Sequence, residues 1–281
     1  MHANADSLQR FLLEEANVRG EIAKLTESYQ TIMHQRPYPP AVKRLLGESL
    51  VAACLLTDTL KFAGSLSIQF QSDDRLALIL VQCDNKLNLR ALAKYKQDLI
   101  DDDYLAAFLQ GQMVLTLQAD ARVKNYQSKL PVDSTSIAEN IMQYFAQSEQ
   151  ISTYIKFAIS EESAAGFLLQ LLPRDKNQQQ KENFWEYALR IGETLSAEEL
   201  LSLANEELLY RLYHETTVRV FDPKAIKFQC RCTIEKMRNV LLTIGEKECK
   251  QILSTHKTIE VLCDFCNTKY EFDSIDVATI F

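Results

Sequence analysis

Two short segments near the C-terminus, CRCTIEKM (230–237) and CDFCNTKY (263–270), contain four of the seven cysteines of this 281-residue chain. They group the thiols as C-x-C and C-x-x-C, and thirty residues (233–262) separate the two pairs. Such pairs occur in disulfide frameworks, structural zinc sites, catalytic dithiols and redox switches. The fold of the C-terminal part of the chain depends on which of these the four thiols form.

The rest of the sequence points to a cytoplasmic protein that does not enter a membrane. The first twenty residues lack the basic segment and apolar core of a secretory signal. The longest purely apolar run, 50–56, is too short to span a bilayer. Because structural disulfides are rare in the cytoplasm, paired cysteines there more often bind metal or do redox chemistry.

The segment 226–281 is predicted to form a small unit that cannot fold on apolar contacts alone. It contains a helix-like stretch from Ile234, with Met237 and Leu241 on one side, and a strand–turn–strand pattern at 258–272. About 56 residues with few large apolar side chains are near the limit for a stable core. Zinc accepts four thiolates tetrahedrally, and short pairs place two sulfurs on one edge of the metal.

We therefore predict one Zn²⁺ ion on four sulfur ligands, listed in chain order: Cys230, Cys232, Cys263 and Cys266. Such a site is coordinatively closed, which argues against catalytic zinc. The alternative is that both pairs are ordinary thiols, or disulfides without metal.

The remaining cysteines receive lesser roles. Cys54 lies on the apolar side of a predicted helix and Cys83 ends a core-like strand, so both are predicted to be buried. Cys249 lies on a polar helical stretch, EKECKQIL, and is predicted to take no part in the site, with exchange between it and the paired thiols as the alternative. His256 could replace a ligand, but a fifth donor is unnecessary.

Residues 1–173 are predicted to form a large domain of mixed α-helix and β-sheet. A helix begins at Pro40, carries apolar residues as far as Leu60, and ends at Gly64. Ser136 and Glu139 predict a capping box for a second helix. Strand patterns follow at 66–70, 76–83, 112–119, 153–160 and 164–172.

Residues 174–225 are predicted to form a helical linker. A polar join (174–183) precedes three short apolar helical stretches (184–213), with a capping box at Ser196 and Glu199 and an N-cap at Asn205. Isolated helices below about 12–15 residues are marginal in water. These helices must lie on the N-terminal domain or on an oligomer partner. The predicted fold class is α+β, with three parts: 1–173, 174–225 and 226–281.

Segments along the whole chain resemble the 33 kDa heat shock protein family of bacteria, which are redox-regulated holdase chaperones. The matching segments are RGEIAKLTESYQTI (19–32), YPPAVKRLLGESLVAACLLTDTLKFAGSLSIQFQ (38–71), YFAQSEQ (144–150), YRLYHETTVRVFDP (210–223), FQCRC (228–232), LLTIGEKE (241–248) and IEVLCDFCNTKYEF (259–272).

The resemblance implies a function and a mechanism. In the reduced family members four cysteines hold one zinc; the matching positions are the four named above. Oxidants convert Cys230–Cys232 and Cys263–Cys266 to disulfides and release the zinc. The linker then loses order, apolar surface becomes available to unfolding client proteins, and the active form dimerises. No ATP is needed and no enzymatic activity is implied, which agrees with the absence of a phosphate-loop motif from the sequence.

Three other functions compete with this one. A zinc-ribbon nucleic-acid-binding protein would need a basic face, but the chain has a net charge of −7, and residues 226–281 hold eight Lys and Arg against eight Asp and Glu. A thiol–disulfide oxidoreductase would use Cys263 and Cys266 from a helix N-terminus, whereas here they lie between two strand patterns. A scaffold with permanent zinc is the third.

Overall fold

The computed structural model describes residues 6–15, 17–59, 64–119, 126–172 and 178–281. It divides into two compact units, Met1–Phe228 and Gln229–Phe281, called here unit 1 and unit 2. Both contain helices and sheets, so the predicted α+β class is confirmed. The division into three parts stays a prediction.

Unit 1 contains two sheets and most of the helices that the structure describes. Its strands are β1 (Ser7–Leu13), β2 (Val18–Leu25), β3 (Gly64–Gln71), β4 (Leu78–Asp84), β5 (Asn88–Lys94), β6 (Gln112–Ala119), β7 (Tyr126–Pro131), β8 (Thr153–Ile159), β9 (Ala164–Leu171), β10 (Val218–Val220), β11 (Lys224–Ala225) and β12 (Lys227–Phe228). Its helices are α1 (Glu27–Met33), α2 (Pro40–Thr59), α3 (Asp101–Leu109), α4 (Ile137–Tyr144), α5 (Gln178–Thr194), α6 (Ala197–Ser202) and α7 (Asn205–Tyr213).

Unit 2 is a hairpin with three helices around it. They are α8 (Ile234–Ile244), α9 (Glu246–Thr255), β13 (Ile259–Leu262), β14 (Lys269–Phe272) and α10 (Ser274–Ile280). The antiparallel pair β13–β14 confirms the predicted strand–turn–strand.

The strands of unit 1 form two six-stranded sheets. Sheet A has the order β10-β1-β2-β9-β8, with β11 also on β1, and sheet B has the order β12-β5-β4-β3-β6-β7. Helix α2 contacts strands of both sheets. Most of its side chains are buried, including Cys54, which is why its sequence is apolar almost all round. The predicted burial of Cys83 on β4 is confirmed as well.

The side chains of sheet A point alternately to its two faces, and each face packs in a separate hydrophobic core, so both faces are apolar. Leu8, Ala23 and Leu168 belong to the core around α2. Phe11 and Phe167, on the opposite face, belong to a second core with α5, α6 and α7. The expectation that the linker helices lie on the N-terminal domain is therefore confirmed. Fully covering side chains of this size contributes about 1.5–3 kcal/mol each.

Two polar contacts stabilise the helices α5–α7 at this interface. The Tyr213 hydroxyl donates to the Ala188 carbonyl oxygen at 2.9 Å and so joins α7 to α5. The Lys24 ammonium, on β2, donates to the carbonyl oxygen of Leu203, the residue that follows α6. The last carbonyls of a helix have no hydrogen-bond partner within the helix. Lys24 provides such a partner for the carbonyl oxygen of Leu203.

Several local predictions differ from the structure. The described part of α2 ends at Thr59 and Gly64 is the first residue of β3; Leu60 and the rest of 60–63 lie outside the described residues, so the predicted end of the helix at Gly64 stays a prediction. Of the predicted polar join, 178–183 already belong to α5, and 174–177 lie outside the described residues.

Of the three predicted helix caps, one is confirmed, one is confirmed in part and one is wrong. Ser196 and Glu199 form the predicted capping box. Ser136 accepts from the Glu139 N–H, but the Glu139 carboxylate accepts from the Ser134 hydroxyl instead of closing a box. Asn205 was predicted as an N-cap, but it is the first helical residue.

Burial of Lys24 makes the stability of unit 1 depend on pH. Lys24 is 3% exposed, and desolvation lowers its pKa from the ordinary 10.5 to about 8. Between these values the unfolded chain holds a proton that the folded chain has lost. The free energy of unfolding should therefore rise with pH in this window, by up to roughly 1.4 kcal/mol per pH unit. Lys24→Met should remove this rise.

The measurement is denaturant unfolding at pH 8, 9 and 10, followed by fluorescence of Trp185, the single tryptophan, which packs at the α5–α7 interface. Lys129→Met, which removes an exposed lysine of β7, is the control and should keep the wild-type dependence. Parallel pH profiles for Lys24→Met and wild type would contradict the assignment.

Candidate metal centre

The four predicted ligand cysteines come from two loops of unit 2. Cys230 and Cys232 lie in the extended segment before α8, whose N-terminus is capped by the Thr233 hydroxyl. Cys263 and Cys266 lie in the turn that joins β13 to β14. In this turn the Asn267 N–H donates to the Cys263 carbonyl at 2.9 Å, and Asn267 adopts a left-handed backbone with φ of 53°.

The structure brings these four sulfurs into one group, with every pair within 4.8 Å. Two of these separations join the two motifs: 3.6 Å from Cys230 to Cys263 and 3.4 Å from Cys232 to Cys266. A tetrahedral ion with metal–sulfur bonds of about 2.3 Å needs sulfurs roughly 3.8 Å apart. The observed spacing is therefore compatible with one metal ion on four sulfur ligands. Neither Cys249 nor His256 belongs to this group.

Backbone N–H groups surround two of the sulfurs. The N–H of Cys232 donates to the Cys230 sulfur, and those of Phe265 and Cys266 donate to the Cys263 sulfur. Donors of this kind stabilise a sulfur that carries negative charge and fix its direction.

Two hydroxyl groups face the other two sulfurs. The Thr268 hydroxyl lies 3.1 Å from the Cys266 sulfur. The Tyr270 hydroxyl, on β14, lies 3.2 Å from the Cys232 sulfur and donates to it. Each of the four sulfurs thus has a hydrogen-bond donor from the protein, as ligand thiolates require.

Burial acts against these donors when no cation is present. It raises the pKa of the Cys230 thiol to about 12 and raises that of Cys263 as well, in spite of their N–H donors. At Cys266 burial is outweighed by hydrogen bonds, chiefly from Thr268, and the pKa falls to about 7. Because an isolated thiolate is unfavourable at the buried positions, a divalent cation bound to the four sulfurs would supply the positive charge that stabilises them as thiolates.

The core of unit 2 is small. Its fully or nearly buried side chains are Leu241, Cys249, Ile259, Phe272 and Val277. Cys249 is the residue of its polar stretch that faces this core. Ile234, predicted to lie on the same side of the helix as Met237 and Leu241, is 42% exposed. So few buried groups agree with the expectation that unit 2 needs the sulfur site for its stability.

Fold and site together define a class: a two-unit α+β protein with a four-cysteine cluster in the smaller unit. The family model described as "Hsp33 protein" matches residues 6–273. The chain belongs to the Hsp33 family, which is a family of chaperones.

Similar proteins agree with this assignment. The 33 kDa chaperonin of Pseudomonas aeruginosa is 40% identical over 283 residues, which cover 99% of this chain and 95% of that protein. The 33 kDa chaperonin of Shewanella woodyi is 40% identical over 277 residues, covering 98% and 96%. The crystal structure of the 33 kDa chaperonin from Thermotoga maritima superposes with a TM-score of 0.81 over 98% of this chain and 97% of that chain. At 22% identity it supports the fold alone.

Some residues around the site carry no signal that reveals them in advance. Tyr270 and Thr268 stand in a strand and a turn pattern, and only the folded hairpin places their hydroxyl groups beside sulfur. None of the helices in the described ranges is long and apolar enough to cross a membrane.

The assembled sulfur group predicts a selective effect on metal content. Wild-type protein prepared under reducing conditions should contain one divalent metal ion per chain. Cys232→Ser should lose most of it, since it removes one of four ligands, whereas Cys249→Ala, outside the group, should keep it. Elemental analysis with a chromophoric chelator titration checks both. A metal-free wild-type protein, or full occupancy in Cys232→Ser, would contradict the site.

Proposed function

We propose that the protein is a redox-regulated, ATP-independent holdase that binds unfolding client proteins after oxidation. The observation that carries the proposal is the combination of a four-sulfur group in a unit with a small core and an apolar face of sheet A covered by short helices. The first feature responds to oxidants, and the second stores an apolar surface. Membership in a chaperone family supports this use of the two features.

Zn²⁺ is the metal that four thiolates favour, and when bound it joins the two cysteine motifs and keeps their sulfurs as thiolates. The proposed ligands are Cys230, Cys232, Cys263 and Cys266. Thiolates reduce peroxide: two thiolates, one H₂O₂ and two protons give one disulfide and two waters. Two such steps consume all four ligands, so no sulfur remains to hold the metal.

The proposed disulfides are Cys230–Cys232 and Cys263–Cys266, as the family resemblance implies. All sulfur pairs lie within 4.8 Å, so proximity alone permits each of the three pairings. Peptide mapping of the oxidised protein distinguishes them directly.

Chain connectivity offers a route from the site to the linker helices. Cys230 follows Phe228, the last residue of unit 1, by two positions. The strands before it are short: β10 and β11 pair with β1, and β12 pairs with β5 through two residues. We infer that unfolding of unit 2 frays these pairings and weakens the docking of α5–α7, which precede them.

Release of α5–α7 would uncover one face of sheet A. Its side chains in the second core are Phe11, Leu13, Val18, Ile22, Ala158, Ala165, Phe167 and Leu169. An exposed apolar surface of this kind associates with other exposed apolar segments, which unfolding proteins present. Two oxidised chains can also associate through it, which accounts for the proposed homodimer.

Peroxide with mild heat should change three quantities together in a single sample. Zinc should appear in solution, four thiols should become unreactive, and suppression of client aggregation should rise from near zero. A chromophoric chelator, a thiol reagent and light scattering of a thermally unfolding client measure them, and size-exclusion chromatography reports the dimer. No nucleotide should be required.

Two outcomes would contradict the proposal. Full suppression of aggregation by the reduced, zinc-loaded protein would mean that oxidation is not the switch. Zinc retained while suppression appears would mean that metal release is not the trigger. Turnover in insulin reduction would instead favour the oxidoreductase, although Cys263 and Cys266 lie in a hairpin turn and not at a helix N-terminus.

Weakening the docking of the linker helices should activate the protein without oxidation. Leu209 on α7 is 2% exposed in the second core, and its truncation to alanine should cost about 2–5 kcal/mol. We expect the reduced Leu209→Ala protein to suppress aggregation while still holding its zinc. Protease cleavage within 178–213 should also become faster.

Tyr210→Ala is the matched control, since Tyr210 is the next residue of the same helix and 72% exposed. It should behave as wild type in both assays. If both variants are activated, or neither is, chaperone activity does not depend on the docking of these helices.

A further inference from the structure

Apart from the contacts between the sulfurs themselves, the hydrogen bond from Tyr270 to Cys232 differs from the other hydrogen bonds to the sulfur group in its reach along the chain. The donors to Cys230, Cys263 and Cys266 are the sulfur's own loop neighbours, within three residues. Such donors can follow their sulfur wherever the loop moves. Tyr270 is 38 residues from Cys232, so this bond exists only when the C-x-C segment lies against the hairpin.

The position of Tyr270 on the hairpin is fixed independently of this bond. It pairs with Val261 in the β13–β14 register, and its ring packs against the core of unit 2. The hydroxyl is therefore presented from a strand of defined register, while Cys232 belongs to a loop without regular structure. Tyr270, on the strand, therefore positions Cys232, in the loop.

A hydrogen bond to a ligand thiolate has two chemical effects. It fixes the direction of the sulfur, and it draws electron density from it. The density matters because the first step of oxidation is attack of the thiolate on peroxide oxygen, which forms a sulfenic acid and releases hydroxide. A second thiolate then attacks that sulfur, forms the disulfide and releases a second hydroxide.

We propose that Tyr270 is a positioning residue that holds Cys232 in the assembled site and slows its oxidation. The inference rests on the proposed zinc-dependent switch and adds a residue that sets its threshold. Since the bond links the two motifs, it strengthens the site while both are in place and disappears once they separate. The switch thereby becomes more resistant to brief exposure to oxidant and no less complete once triggered.

The experiment uses full-length Tyr270→Phe, which keeps the ring in the core and removes only the hydroxyl. Zinc affinity should fall by about tenfold or more, as for other outer hydrogen-bond partners of ligands. Peroxide-triggered zinc release should become several-fold faster. In the cobalt-substituted protein, the sulfur-to-metal charge-transfer band should shift, because one sulfur has gained electron density.

Position-specific labelling distinguishes this role from a general loosening of unit 2. Brief peroxide treatment with a sulfenic-acid trap should increase labelling of Cys232 in Tyr270→Phe. In Thr268→Val, which removes the hydroxyl donor to Cys266 and keeps the backbone N–H, labelling should increase at Cys266 instead. Equal increases at all four cysteines in Tyr270→Phe would overturn the proposal, as would wild-type release kinetics and an unshifted cobalt spectrum.

The wild-type arm keeps the two proposals separate. If wild-type protein binds no zinc, or keeps it after peroxide, the redox function itself fails. If wild type binds and releases zinc and Tyr270→Phe matches it in every readout, only the role of Tyr270 fails.

Discussion

Sheet A has two apolar faces, and only one of them is covered by a long helix that both sheets share. The other face depends on α5, α6 and α7, of which α6 and α7, with six and nine residues, are too short to persist alone. These helices are therefore ordered by docking on sheet A, and they in turn cover the second apolar face of the sheet. Lys24 makes this docking more specific, yet its own burial costs free energy, which lowers its pKa to about 8. In the proposed mechanism this interface is present in the reduced protein and is lost after oxidation.

Unit 2 has only a small hydrophobic core, beside which four cysteine sulfurs form one group. Five buried side chains make up its hydrophobic cluster, and four sulfurs within 4.8 Å of one another bring its two cysteine motifs together. A unit of this kind gains much of its stability from whatever joins the sulfurs. In the proposed mechanism the sulfur site and the docked helices act in series, since the chain passes from the docked helices through β10–β12 to Cys230.

The sequence was most informative where spacing reports chemistry. Cysteine spacing predicted the group that the structure assembles, and the apolar segments 112–119 and 164–172 predicted β6 and β9. It was least informative where tertiary contacts decide. Strands β1 and β2 were not predicted; β2 is buried on both sides like β9, but the charged residues Glu21 and Lys24 interrupt its apolar pattern. Tyr270 and Lys24 acquire their roles only when distant segments meet.

Amide hydrogen exchange of the full-length protein, before and after peroxide-induced release of zinc, tests the central claim most directly. The account predicts that protection is lost throughout unit 2 and in 178–213, while the strands β3, β4 and β6 of sheet B stay protected. The exposed face of sheet A would then be the new surface. Continued protection of 178–213 in protein that has lost its zinc would contradict the account.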